Sequence, residues 1–218
     1  QYFYAIGVIQ RDKLADSQAA VRSFDLALEF EPGFLRAFQA IDEVLNAEQN
    51  FERQDRYYRK MLVRALDNEL DDALIATVAR NLGQINHTQL NDADEAVKAF
   101  NIAIRYGNTD RKLYQLTADL EGRIGQTDSA AEKYEALIAA DATDLEPYHA
   151  LVTLYCGANR IDDAYCVCRV LTVLGHATSE EQALERSIRR TLSKQHMKPM
   201  EADAWALVSE GFRYPQVG

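Results

Sequence analysis

Proline is scarce in this 218-residue chain, with four copies at Pro32, Pro147, Pro199 and Pro215. A shortage of the residue that breaks helices leaves long runs free to be helical. Period-2 alternation of apolar and polar residues is rare as well, which argues against a sheet. No stretch approaches the ~20 uninterrupted apolar residues of a membrane-spanning helix. Cysteine is limited to Cys156, Cys166 and Cys168. An odd count in so long a chain is no disulfide framework, and it points to a reducing, cytoplasmic setting. Positive charge is in deficit, with 24 Lys+Arg against 34 Asp+Glu and a net charge of −10. Such a surface repels phosphate backbones, so nucleic acid is a poor partner. It attracts basic peptides or basic protein patches by speeding their approach, or it serves solubility alone.

Chemistry-bearing motifs are missing too. There is no Gly-rich phosphate loop, nucleophile elbow or dinucleotide fingerprint. His87, His149, His176 and His196 are dispersed, with no pair at metal-binding spacing. Cys166 and Cys168 lie two apart on a predicted helix and point about 200° from each other, so they do not share one zinc. Paired acids occur at Asp71-Asp72, Asp92/Asp94-Glu95 and Asp162-Asp163. Each falls at a predicted helix start, where carboxylates complement the N-terminal dipole, and capping explains them better than catalysis. Asn91-Asp92-Ala93-Asp94 does not continue into a calcium loop, because the central Gly and distant Glu are misplaced. The expectation is a protein without catalytic residues, cofactor or metal. At the N-terminus, Gln1-Tyr2-Phe3-Tyr4-Ala5-Ile6-Gly7 carries no cationic segment and does not read as a signal peptide. Lacking an initial methionine, the chain is expected to begin inside a longer protein or after a disordered or removed stretch.

What the chain does have is a period. Ala20, Gln54, Ala96, Ala130 and Ala164 occupy one recurring slot, at intervals of 34, 42, 34 and 34 residues. Four residues after each slot stand Phe24, Tyr58, Phe100, Tyr134 and Cys168, and seven after it Ala27, Met61, Ala103, Leu137 and Leu171. Offsets of 0, 4 and 7 trace one helix face, and a period near 34 marks a stacked helix pair. The pattern predicts helices ending near Arg11, over Gln18–Phe30, from Leu35 to a turn near Asn50, and on to about Leu66. The long interval carries eight extra residues, read as about two added turns at the start of the third unit's first helix. Asn91 or Asp92 caps the helix after the His87–Asp92 turn. After Gly175, Thr178 with Glu181 or Ser179 with Gln182 forms a capping box. A following helix with Leu184, Ile188 and Leu192, then a short one from Met200 to about Phe212 with Trp205, is expected to cover the end of the stack.

These residues resemble the tetratricopeptide repeat family. Tyr4, Ala20, Phe24, Ala27 and Pro32 match its pattern in the first unit, and Leu82-Gly83, Ala96, Phe100 and Ala103 in the third. Tyr114, Ala118, Gly125, Ala130 and Tyr134 match in the fourth, and Tyr148, Leu151, Tyr155 and Ala164 in the fifth. The second unit departs at Gln54, and the closing proline is kept in the first unit alone. The resemblance implies an all-α, right-handed solenoid of helix-turn-helix repeats. Five repeats are expected at about 1–34, 35–68, 69–110, 111–144 and 145–178, with capping helices and a tail over 179–218.

The resemblance further implies a scaffold or adaptor that binds a peptide or protein partner in a concave groove lined by first helices. Projecting the repeat places Arg36, Gln39, Glu43, Arg80, Gln84, His87, Lys112, Gln115, Asp119, Arg123, His149 and Thr153 near that groove. Tyr4, Val8, Arg11 and Asn46 project there too. The family's terminal-carboxylate pattern is absent, with Arg80 and Gln84 its nearest approximation. Arg36, Arg80, Lys112 and Arg123 either hold an acidic motif or pair with Glu43 and Asp119 across neighbouring helices. Two alternatives stand beside the adaptor. One is a structural subunit that self-associates through Gln1–Tyr4 or Phe212–Tyr214. The other is a regulatory module of a longer protein with a separate catalytic domain.

Overall fold

A computed structural model describes residues 1–192. Among the described residues there are eleven α-helices and no strand. They are α1 (Tyr2–Asp12), α2 (Ser17–Phe30), α3 (Leu35–Ala47), α4 (Phe51–Asp67), α5 (Asp72–Thr88) and α6 (Ala93–Arg105). There follow α7 (Arg111–Arg123), α8 (Thr127–Ala140), α9 (Glu146–Gly157), α10 (Ile161–Leu174) and α11 (Ser179–Leu192). The helix expected from Met200, with Trp205, and the self-association segment at Phe212–Tyr214 lie outside the described residues. The chain divides into two compact units, one from Gln1 to Leu154 and one beginning at Tyr155, so the division falls within α9. In the first unit each helix from α1 to α7 packs against the next in chain order, most extensively α5 on α6. In the second, α10 packs on α11.

The periodic residues form the core. All fifteen side chains at offsets 0, 4 and 7 are buried, Gln54 among them. The two phenylalanines at offset 4 each meet a glycine on the preceding helix. A Cβ on Gly7 would lie 2.5 Å from the Phe24 ring, and one on Gly83 would lie no more than 3.0 Å from three atoms of Phe100. Where the partner position holds Ile41 or Thr117, the aromatic is Tyr58 or Tyr134, whose ring sits differently and sends its hydroxyl to a carboxylate. Tyr134 donates to Asp119, and Tyr58 to Asp42. Burial, reinforced by the neighbouring carboxylate, raises both phenol pKa values, so both remain donors at neutral pH.

Turn chemistry repeats as well. Five residues before each slot the backbone is left-handed, at Ala15, Gln49, Asn91, Gly125 and Asn159. Asp16, Asn50 and Asp92 then cap the second helices, accepting from the N–H groups of Ala19, Arg53 and Glu95. Of the two candidates for α6, Asp92 is the cap, and Asn91 supplies the left-handed turn instead. The capping box of α11 takes the Thr178/Glu181 frame: Glu181 N–H donates to Thr178 Oγ1 at 3.2 Å, and Thr178 N–H to Glu181 Oε2 at 2.7 Å.

The long interval is filled differently from expectation. Relative to the slot, α5 begins five residues earlier than α3 or α7, and α4 ends three residues later than α2 or α8. The extra residues therefore add about one turn to each of two successive helices, not two turns to one. Lengthening both sides of the α4–α5 turn lets the added turns lie against each other, and α4 and α5 do pack together.

Cys168 is buried in the second unit, whereas Cys156 and Cys166 are exposed. Burial, with Glu181 nearby, pushes the Cys168 thiol up to about 11. Iodoacetamide at pH 8 should thus modify Cys156 and Cys166 in the native chain, and Cys168 after denaturant is added. Equal labelling of all three by mass spectrometry would show that α10 does not pack as described.

Candidate binding surface

The first helices α1, α3, α5, α7 and α9 carry the sequence-derived candidates. On α3, Arg36, Gln39 and Glu43 are exposed; on α5, Arg80 and Gln84 are exposed and His87 is half-buried. On α7, Lys112 and Arg123 are exposed, with Gln115 and Asp119 half-buried. On α9, His149 is half-buried, while Thr153 is exposed and donates to the His149 carbonyl at 3.1 Å. Each is a spot a ligand can reach, and the helical rise sets them about one turn apart along each rod.

Charge pairing among them departs from expectation. Glu43 takes Arg11, at 3.2 Å, rather than Arg36. Asp119 accepts from Tyr134 instead of a cation. Arg80 reaches Asp110 at 3.4 Å, where both side chains are more than a third exposed and the pair contributes little. Arg36, Lys112 and Arg123 make no salt bridge within the described residues. The expectation that these cations pair with Glu43 and Asp119 is thereby corrected, because closer donors occupy both carboxylates.

Two clefts lie on this surface. One, of about 550 Å³ between α3 and α5, is lined by Leu35, Phe38, Gln39, Asp42, Tyr58 and Asp71, with α5 closing the far wall. A smaller one, of about 220 Å³, shares Tyr58 and Asn81 with it and adds Asn46, Gln54 and Gln84. Gln39, Gln84 and Asn46 are the sequence candidates brought here. Asp42, Tyr58, Asp71, Asn81 and Gln54 escaped the projection. Gln54 was nevertheless visible as the one polar residue in the small slot. It is 6% exposed, and its Nε2 donates to Asp42 Oδ1 at 2.6 Å. Its Oε1 is buried with no hydrogen-bond partner among the described residues. A buried acceptor left in that state costs roughly 1–3 kcal/mol.

Elsewhere polar side chains lock the stack. Glu121 on α7 is fully buried and accepts from Asn101 on α6 and from Ser129 and Lys133 on α8. Asn86 on α5 donates to Asp55 on α4 at 2.7 Å. Arg59 joins Asp55 to Glu95 on α6, at 2.8 and 2.6 Å. Within the described residues no group of His, Cys, Asp and Glu is arranged to hold a metal ion. No helix among them is long and apolar enough to cross a membrane.

No protein-family model matches the chain, and no curated protein matches it. Solved structures do resemble it. A chain in the structure of Naa15/Naa10 bound to HypK-THB is 13% identical with a TM-score of 0.55, over 78% of this chain and 24% of that one. The crystal structure of MamA is 19% identical with a TM-score of 0.46, over 85% of this chain and 97% of that one. A tetratricopeptide repeat protein from Parabacteroides merdae ATCC 43184 is 13% identical with a TM-score of 0.46, over 97% and 78%. At such identities the likeness is one of fold. Helical hairpins in series, with the face at offsets 0, 4 and 7 buried at every slot, give this chain a tetratricopeptide-like fold.

Proposed function

We propose that the chain is a non-catalytic interaction module whose first-helix face holds a segment of a protein partner. The observation that carries this reading is the set of cations without a salt bridge among the described residues, Arg36, Lys112 and Arg123, on the first helices of an acidic chain. Such cations form charge-assisted hydrogen bonds to a partner's carboxylates without first giving up an internal pair. The polar candidates between them, Gln39, Gln84, His87, Gln115, His149 and Thr153, supply donors and acceptors for a polypeptide backbone. The similar Naa15/Naa10 chain comes from an assembly bound to HypK-THB, which is in keeping with such a role. Residues 1–178 act in this reading as five repeats, and 179–218 as their cap.

Affinity capture from the native cell tests it. Replacing Arg36, Lys112 and Arg123 together by alanine should lower recovery of the partner about tenfold or more, with helical content by circular dichroism unchanged. Undiminished recovery would move the binding surface off the first helices.

A further inference from the structure

Two departures from the repeat converge on one place. The long interval gives α5 its early start, and that added turn brings Asp71, Ala73 and Leu74 to the wall of the larger cleft. The exception at the small slot puts Gln54 into the adjoining cleft. Between them stands Asp42, which receives Gln54 Nε2 and the Tyr58 hydroxyl.

We propose that this double cleft between α3 and α5 seats an extended peptide segment of another protein through a lysine or arginine side chain. The proposal rests on the interaction role given above and names the chemistry of one part of the ligand. Asp42 and Asp71 both line the larger cleft, and no lysine or arginine does. The two donors on Asp42 are neutral, so they orient its carboxylate without cancelling its charge. Asp71 occupies the N-cap position of α5, yet its side chain makes no capping hydrogen bond. Neither carboxylate forms a salt bridge within the described residues. Beside Gln39, Thr77 and Asn81, the lining has an apolar part in Leu35, Leu74, Val78 and Phe38, whose ring meets Tyr58 edge-on with centroids 4.9 Å apart. A methylene stem with a cation at its tip fits such a lining, its stem along the apolar wall and its head between the carboxylates. A volume of about 550 Å³ accommodates a long side chain and its backbone.

The buried oxygen of Gln54 supplies a second, independent observation. Because Nε2 is held by Asp42, the amide is oriented with Oε1 as an acceptor lacking a donor. Gln54 lines the smaller cleft, so a ligand N–H that displaces the side chains covering this oxygen satisfies it, and the Asn46, Asn81 and Gln84 amides suit a peptide backbone. An acidic ligand group would instead meet two like charges and an acceptor.

A random dodecapeptide phage library panned on the full chain tests the proposal. Recovered peptides should share a lysine or arginine. A fluorescein-labelled copy of the tightest one should lose about tenfold in affinity when that residue becomes glutamine. Asp71→Asn should cause a similar loss, and raising salt should weaken the wild-type complex. Asp71 is exposed and its side chain makes no capping hydrogen bond, and Asn is itself a favoured N-cap residue, so this variant keeps the fold. Gln54→Leu should weaken the same peptide several-fold. Peptides enriched in Asp or Glu, or binding indifferent to Asp71→Asn, overturn the proposal. If such peptides are lost with the Arg36, Lys112 and Arg123 replacements, the interaction role survives and the cation-seating cleft does not. Recovery of no peptide, together with undiminished partner capture by the triple variant, overturns both.

Discussion

Replacing Phe100 by alanine should destabilise the chain by about 3–5 kcal/mol, the usual cost of removing a buried ring. Phe100 is fully buried on α6, and its ring fills the space that Gly83 on α5 leaves open. α5 and α6 share the most extensive helix contact in the first unit, so a cavity there loosens the tightest joint. The matching experiment adds volume. Gly83→Ala drives a methyl group into the ring and should cost about 1–3 kcal/mol. Combined with Phe100→Leu, it should cost less than the two changes summed, since the shorter side chain vacates the space the methyl needs. Urea denaturation of the four proteins measures this. Additive losses would mean that Gly83 and Phe100 are not the paired surfaces described.

The second large effect lies at Glu121. This carboxylate is fully buried, with Lys133 Nζ at 2.8 Å and a side-chain exposure of 12% on the lysine. Asn101 and Ser129 donate to the same oxygen, at 2.8 and 2.9 Å. Glu121→Ala strands the lysine and leaves two neutral donors without an acceptor, at a cost of about 3–5 kcal/mol. Lys133→Met in the same background should recover much of that loss, because an apolar pair escapes the desolvation penalty. If Glu121→Ala alone matches a surface substitution, within about 0.5 kcal/mol, the network is not closed in solution. Hydrogen exchange adds a spatial check. Loosening should be greatest in α6, α7 and α8, the helices joined through this carboxylate.

The sequence carried the stack and little of its polar wiring. Phe24, Phe100 and Tyr134 repeat at fixed distances from a small residue, so their burial follows from helical geometry alone. The eight extra residues were countable, but the count does not say where they go. Placing about one turn on α4 and one on α5 depends on their packing against each other, a long-range contact. Position on α3, α5 and α7 was likewise readable for Arg36, Arg80, Lys112 and Arg123. Their counterions were not, because Tyr134 claims Asp119 and Arg11 claims Glu43 through spacings of 15 and 32 residues. The cleft was beyond projection for the same reason. It joins Asp42, Gln54 and Asp71 from two helices and the start of a third, and Gln54 announced itself merely as a mismatch.

The lengthened ends of α4 and α5 meet at the short turn through Asn68 and Leu70, and Leu70 and Leu74 pack against the core there. The insertion is nevertheless local in register. Helices on either side keep their own registers, since the added length ends where it begins, at one end of one antiparallel pair. Trimming it would return the chain to an unbroken 34-residue cadence, removing Asp71 from the cleft while sparing the aromatic core. Uniform repeats thus supply the frame, and one local overgrowth supplies the individuality.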